Sequence, residues 1–393
     1  MKQRFCCIFL CLFFLLPTLF LPVGAKNSDP AAYFSDIDAK SAILMEASTG
    51  KVLFEKNADE ALPPASVTKI MTVLLVLEAI DAGCASLSDT VRVSDYASSM
   101  GGSQVYLKAG EEMTVNDLLK SVIVASANDA AVALAEHICG SEQAFVARMN
   151  ERASELGMKN TTFLNTNGLD DDAVGHLTSA RDIAIMSREL LQHPLLFDYT
   201  TIWTDSIRNG AFGLTNTNRL VRFYRGCTGL KTGSTSKAGF CISATAMRDG
   251  MHLICVIMGS STKDARNSLA AALLDFGFST WSVASFDKQE LQPITVRGGI
   301  ADFCHVSAPD FSALVRREDI GKIRQTTVCA DMLHAPLSVG DKVGEIVYEI
   351  DGEVIGVVDI TVTEDIPRIG FIELFCRMLR VFCLTADDTA TAE

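Results

Sequence analysis

Between residues 41 and 55 apolar and polar side chains alternate on either side of Thr49-Gly50, a period of two broken by a turn, which predicts a β-hairpin. Pro63-Pro64 then interrupts the chain. From Val67 to Ile80 the pattern changes: Ile70, Met71, Val73, Leu74, Leu75, Val76 and Leu77 cover every side of a helical wheel, so this helix has no solvated face and belongs in a core. Two further helical stretches, 117–124 and 129–139, flank a polar break at Ser126, and Gly140 stops the second. Helical periodicity continues through 144–156 and 179–191. Strand character returns near Gly229. Residues 231–246 read as a strand-like stretch, 239–247 and 251–259 pair across Asp249-Gly250, and a helix over 265–276 follows.

Strands near both ends of this region with helices between them predict one antiparallel sheet completed by both ends and covered by helices, an α/β (α+β) domain over about 38–282. Beyond residue 285 the runs are short and β-like (294–296, 343–350 and 354–362, with an Asp351-Gly352 turn), which predicts a small independent β-domain over 283–366. The segment 367–385 is different again. At a helical pitch Glu373, Arg377 and Arg380 fall within a stripe roughly 60° wide and almost everything else from Arg368 to Leu384 is apolar, the signature of an amphipathic helix. Its charges and length argue for lying in a membrane interface rather than crossing it, and Arg368, Arg377 and Arg380 against Glu373 suit an anionic lipid surface. A core or dimer helix is the alternative. Residues 386–393 read as a frayed acidic tail.

Composition narrows this picture. Lys2 and Arg4, an apolar run over 5–23 and Val23-Gly24-Ala25 read as an export signal, 1–25, cleaved after Ala25. A retained anchor is the rival, since about 18 apolar residues span a bilayer, but Pro17, Pro22 and the small-residue end favour cleavage. Loss of Lys2 and Arg4 takes the formal charge from −14 to −16, a surface that repels nucleic acid. Of twelve cysteines, Cys6, Cys7 and Cys11 lie in the signal, and the nine left are an odd number with no Cys-x-x-Cys, which excludes a complete disulfide framework. Cys241 and Cys255, within apolar runs, read as core residues.

Three short motifs carry chemistry: Ser66-Val67-Thr68-Lys69, Ser126-Ala127-Asn128 and Lys231-Thr232-Gly233. Ser66 and Lys69 stand one helical turn apart, so hydroxyl and amine share a face. A Lys among Ile70, Met71 and Val73 is desolvated at the positive end of a helix, both of which lower its pKa and make it a base for the Ser proton. Ser126 and Asn128 occupy a helix break where polar groups can face a cleft, although such a sequence is also an ordinary helix cap. Lys231, Thr232 and Gly233 open a strand whose edge can bind an extended peptide, with Gly233 allowing close approach and Lys231 and Thr232 holding an anionic terminus; a plain turn is the alternative. No metal or cofactor is needed for acyl transfer of this kind. The six His have no metal-ligand spacing, and Asp170-Asp171-Asp172 reads as a solvated loop.

In this order, and within Pro64-Ala65-Ser66-Val67-Thr68-Lys69-Ile70-Met71-Thr72, Ser126-Ala127-Asn128-Asp129-Ala130, Glu155-Leu156-Gly157-Met158, His176-Leu177-Thr178-Ser179-Ala180-Arg181-Asp182 and Gly229-Leu230-Lys231-Thr232-Gly233, the chain resembles the low-molecular-mass penicillin-binding proteins, serine D-alanyl-D-alanine carboxypeptidases of the peptidase S11 type. The resemblance implies a penicillin-binding/β-lactamase-like fold and removal of the terminal D-Ala from peptidoglycan stem peptides. It makes Ser66 the nucleophile, Lys69 the base and Ser126 a proton shuttle. Asn128 becomes a donor to a substrate amide, the backbone N–H groups of Ser66 and Ser234 an oxyanion hole, and Lys231, Thr232 and Arg266 the holders of the terminal carboxylate. A surface Arg at a helix start is the other reading of Arg266.

The chain also departs from related patterns. Many carboxypeptidases of the family carry His where Ser234 stands. Class A β-lactamases deacylate with a Glu roughly 36 residues after their Ser-x-Asn, and this chain has Thr161, Thr162 and Phe163 there, with Glu155 nearby but without the expected partners. The resemblance therefore implies β-lactams as inhibitors that acylate Ser66 and leave slowly, and an exported enzyme at the outer face of the cytoplasmic membrane, held peripherally by its C-terminal helix. A D,D-endopeptidase or transpeptidase using the same residues, and a catalytically weak wall-binding scaffold, are the alternatives.

Overall fold

The computed structural model describes residues 34, 36–169 and 174–387 of the 393-residue chain. The export signal, the aspartate run and the end of the acidic tail lie outside the described residues.

Five strands form the central sheet: β1 (Ser41–Glu46), β2 (Val52–Lys56), β3 (Cys227–Thr235), β4 (Gly239–Arg248) and β5 (Met251–Ser260). Their order is β2-β1-β5-β4-β3, antiparallel throughout, so the N-terminal hairpin does close a sheet begun by the later strands and β3 lies on an edge. The stretch expected as one strand over 231–246 is two, β3 and β4, folded back at 236–238. β5 carries a nearly unbroken apolar run because both its faces are covered. Ile43, Met45, Ile254, Val256 and Met258 meet the main helical core. On the opposite face Leu44 and Leu253 meet helix α6 (Lys263–Thr280) at Gly277, where an added Cβ would stand 2.5 Å from a Leu253 methyl carbon. That packing explains why α6 runs past the end expected at 276: Gly277 lets the helix lie flat on the sheet, and it does not terminate it.

The helical core is built around α1 (Lys69–Asp81), which is entered through a 3₁₀ turn over Ala65–Thr68 and is buried on all sides from Lys69 to Leu77, as its apolar run requires. Around it stand α2 (Val115–Val124), α3 (Asn128–Cys139), α4 (Glu142–Glu155) and α5 (Ala180–Leu190). Side-chain caps from Thr114, Ser141, Ser179 and Thr262 start α2, α4, α5 and α6, and Gly140 at φ +79° ends α3.

α6 leads directly into the strand Trp281–Phe286, which pairs antiparallel with Phe311–Arg316. A second, separate core follows, with Ile294, Val306, Ile346, Tyr348, Val358 and Ile360 buried between short strands. Its main hairpin, Lys342–Ile350 with Glu353–Val362, turns at Asp351-Gly352, both at positive φ. Phe286 and Phe311 stack on Tyr348 at 4.6 and 4.4 Å, tying the connecting strand pair to this β-region.

The last helix, α7 (Phe371–Asp387), begins three residues later than expected and extends beyond Leu384. Its charges correct the sequence reading. Arg377 bonds Asp302 at 2.8 Å and the Ile300 carbonyl, and Arg368, ahead of the helix, bonds the Ala335 carbonyl at 3.0 Å, so two of the three arginines assigned to a lipid surface are engaged with the β-region.

Candidate active site

The 3₁₀ turn before α1 places Ser66 and is held in an unfavourable shape. Ala65 has φ +49°, a left-handed conformation that costs a non-glycine residue about 1–3 kcal/mol and persists only when its surroundings enforce it. Those surroundings come from two sides. His176 accepts from the Leu164 N–H at Nδ1 (3.0 Å), which puts its proton on Nε2, facing Thr68 Oγ1 at 2.8 Å; Thr68 in turn donates to the Ala65 carbonyl at 2.9 Å. Gly168 presses on the same carbonyl, and a Cβ there would stand 1.9 Å from it.

Lys69 has no exposed surface. Its Nζ lies 2.9 Å from Ser66 Oγ, 2.5 Å from Asn128 Oδ1 and 2.7 Å from the Asn167 carbonyl. A neutral amine has two N–H groups and one lone pair. In that neutral form the two carbonyl oxygens would take the N–H groups and leave the lone pair for the Ser66 hydroxyl. Burial first, and then the positive charge of Lys231, hold this amine well below the usual lysine range, with Asp129 opposing them.

Ser126, the break between α2 and α3, also sits at positive φ (+64°). Asn128 is less available than expected. Its Nδ2 donates to the Gly101 carbonyl at 2.7 Å and its Oδ1 accepts from Lys69, so the amide assigned to a substrate contact instead ties the base to the 101–103 segment. Asp129, fully buried, fixes the residues that follow this segment by accepting from the N–H groups of Val105 and Leu107.

Lys231, Thr232 and Gly233 lie on the edge strand β3. Gly233 has a different neighbour from the one anticipated: a Cβ there would stand 2.8 Å from both the Pro64 carbonyl oxygen and the Ser66 nitrogen, so the glycine admits the chain's own Ser66 turn. Lys231 is buried and burial lowers its pKa to about 7, with the Arg266 charge adding to the shift. Arg266 is likewise buried, 2% exposed, with its pKa lowered to about 10 mainly by desolvation, and it is held by the Cys241 carbonyl and Asn267 Oδ1. The solvated surface Arg at a helix start is thereby ruled out. Ser66, Ser126, Thr232, Gly233, Ser234 and Arg266 line one cleft of about 170 Å³, completed by Ser103, Thr217, Phe240 and Lys263. Among the described residues no acidic side chain lines it. Glu155 is on the surface, paired with Arg148 and Arg152. A larger cavity of about 670 Å³ beside β1, β2 and α5 has its Arg181 and Arg188 engaged with Glu55, Asp59 and backbone carbonyls, and among the described residues it holds no nucleophile–base pair.

Residues 25–262 match the family model for D-alanyl-D-alanine carboxypeptidase, peptidase S11, and residues 283–368 match that for the C-terminal domain of penicillin-binding protein 5. The chain belongs to the S11 family of serine-type D-alanyl-D-alanine carboxypeptidases. It is 41% identical to the D-alanyl-D-alanine carboxypeptidase DacF of Bacillus subtilis over 92% of this chain and 94% of that one. Among solved structures it is similar to penicillin-binding protein 5 of Haemophilus influenzae (TM-score 0.70, 30% identity, 85% of this chain and 98% of that one). It is also similar to penicillin-binding protein D2 of Listeria monocytogenes in its ampicillin-bound form (TM-score 0.57, 32% identity, 62% and 98%). The expected fold, an antiparallel sheet covered by helices and followed by a small β-domain, is the family's. This carboxypeptidase is a hydrolase of the cell-wall peptidoglycan class.

Sequence reasoning missed one support of the base, the loop 165–169. Asn165 Oδ1 accepts from the Gly168 N–H at 2.7 Å and the Asn167 carbonyl holds Lys69. Asn165-Thr166-Asn167-Gly168 reads as turn-forming in sequence, but nothing local indicates that it reaches the base.

Proposed function

We propose that this carboxypeptidase works through an acyl-enzyme on Ser66, and the observation that carries the reading is the buried Lys69 amine, 2.9 Å from the Ser66 hydroxyl and held by two carbonyl oxygens. Ser66 Oγ attacks the carbonyl between the two terminal D-Ala residues while its proton passes to Lys69 Nζ. The oxyanion that forms is received by the backbone N–H groups of Ser66 and Ser234, each worth about 3 kcal/mol. The carbon–nitrogen bond then breaks as Ser126 hands its proton to the departing D-Ala amine and takes the one held by Lys69, and water hydrolyses the ester with the neutral Lys69 amine again as base. Lys231, Thr232 and Arg266 hold the terminal carboxylate, and Asn128 keeps the Lys69 amine in register. The edge position of β3 supports binding of the peptide as an added strand. β-Lactams enter the same site and acylate Ser66; among the described residues the cleft has no acidic side chain, which supports slow release. Intact-protein mass spectrometry after benzylpenicillin treatment tests the acyl-enzyme, with the adduct expected on the peptide that carries Ser66.

The two lysines set a pH dependence. Lys231 is charged below about 7 and loses its charge as the pH rises through that value. For a peptide ending in a free carboxylate, kcat/KM should therefore decline above about pH 7, partly rather than wholly because Arg266 keeps its charge to about 10. Lys69 must be neutral to act, so its pKa sets the acid limb. A pH series on a pentapeptide and on benzylpenicillin, with kcat/KM rising smoothly to pH 10, would contradict this assignment.

The division at about residue 282, export through residues 1–25 and peripheral membrane attachment through α7 belong to the same proposal. On α7, Phe371 and Ile372 are 83% and 79% exposed and Phe375 and Met378 are also exposed, while Arg377 faces Asp302. The apolar side is thus turned outward, which fits a bilayer interface, and among the described residues no helix is long and apolar enough to cross a membrane. With Arg368 and Arg377 engaged, attachment rests on apolar contact more than on charge. Binding to phosphatidylglycerol vesicles should survive ~0.5 M salt and vanish when the chain ends at Gly370; binding retained by the truncated chain would contradict the role of α7.

A further inference from the structure

Three separate stretches of this carboxypeptidase converge on one buried carboxylate outside the cleft. Glu142, the first residue of α4, is 6% exposed. Its Oε1 accepts from the Thr166 N–H at 3.0 Å and the Thr166 hydroxyl at 2.8 Å, and its Oε2 accepts from the Tyr96 hydroxyl at 2.6 Å. That last bond, with burial, pushes the Tyr96 phenol up to about 12. An acid in a first helical turn is ordinarily a solvated partner of the helix dipole. Here it is buried and holds two other segments.

Each segment leads to one of the two oxygens that orient Lys69. Thr166 precedes Asn167, whose carbonyl accepts from Nζ at 2.7 Å, and the Thr166 carbonyl is itself held by Thr72, one turn beyond Lys69 on α1, at 2.6 Å. Tyr96 lies in the short helix Asp95–Ser98, which runs into the 100–103 wall. There Gly101 and Ser103 offer carbonyls to the Asn128 side-chain and backbone N–H groups, both at 2.7 Å, and Asn128 Oδ1 accepts from Nζ. Asn167 Nδ2 reaches Met100 Sδ at 3.8 Å, joining the two segments a second time.

We propose that Glu142 is a positioning residue for acylation: by clamping the 165–169 loop to the 95–103 wall it fixes both acceptors of the Lys69 amine and thereby the direction of its lone pair. The inference rests on the reading of Lys69 as the base. Loss of the clamp lets the acceptors drift, and misplacement of a reacting group by ~1 Å costs on the order of 100-fold in rate.

The test is the kinetics of benzylpenicillin acylation by the full mature chain, with the dissociation constant of the non-covalent complex and the acylation rate constant resolved separately. Glu142→Ala should acylate about 10- to 100-fold more slowly while the dissociation constant stays within about twofold. Glu142→Gln, whose carbonyl can still accept from Thr166, should recover most of the rate. Tyr96→Phe removes one arm at a half-exposed position and should slow acylation about 3- to 10-fold, so it decides the matter if Glu142→Ala does not fold. A wild-type rate constant in Glu142→Ala or, where that protein is unfolded, in Tyr96→Phe would overturn the clamp, as would a Glu142→Ala defect shared equally by binding and rate. Lys69→Ala separates the two claims: normal acylation there removes the base reading itself, whereas a dead Lys69→Ala beside a normal Glu142→Ala removes the clamp alone.

Discussion

Lys69→Arg should leave a folded protein that releases D-Ala from a pentapeptide about 10²- to 10⁴-fold more slowly, the range lost when a positioned general base is removed. Arginine keeps the positive charge and the hydrogen-bond donors, so a purely electrostatic or structural role for Lys69 would be largely preserved. It cannot lose its proton in a protein, so a base would be lost completely. The site is also shaped for the smaller group: three oxygens lie 2.5–2.9 Å from one nitrogen, inside a helix with no exposed face at that position. Release of D-Ala at the wild-type rate would show that the proton leaves Ser66 by another route.

The second large effect is expected at Gly168, which no motif marks. Gly168→Ala puts a Cβ at φ +83° and 1.9 Å from the Ala65 carbonyl oxygen, with Thr68 Oγ1 only 2.8 Å away. Backbone cannot yield as a flexible side chain can, so either the loop withdraws, taking the Asn167 carbonyl from Lys69, or the Ser66 turn moves. Both displace the nucleophile and base relative to each other, and acylation should fall about 100-fold. Strain at the substituted position should cost about 1–3 kcal/mol of stability as well. Denaturant unfolding and penicillin acylation measured on the same protein check the pair. A variant that acylates normally would mean the 165–169 loop is a passive cover.

These two residues also mark how far the sequence could be read. The environment of Lys69 was legible because it is local: seven apolar residues within one helical run predict burial, and burial predicts a depressed amine pKa. The β4–β5 hairpin was legible for the same reason, and so was the end of α3 at Gly140. The role of Gly168 was not, because its contacts are with Ala65 and Thr68, a hundred residues away in the chain, and a turn-forming tetrapeptide looks the same wherever it packs. Gly233 reads as a point of close approach for a substrate strand, whereas what lies against it is the Pro64–Ser66 backbone, again a partner invisible from the strand itself. Arg266 was ambiguous because a charged residue after a helix cap is normally solvated; only the fold buries it at the cleft. On α7 the periodicity identified the charged stripe but not the side it faces, and the contact of Arg377 with Asp302 reverses that reading.

The acyl-enzyme on Ser66 is tested most directly by the mass of the intact mature protein before and after benzylpenicillin, with Ser66→Ala alongside. One penicilloyl group should be added to the wild type, localised to Ser66 and persisting through many minutes of dilution, and none to the variant. An adduct on Ser66→Ala, or a wild type that stays unmodified while it still releases D-Ala, would contradict it.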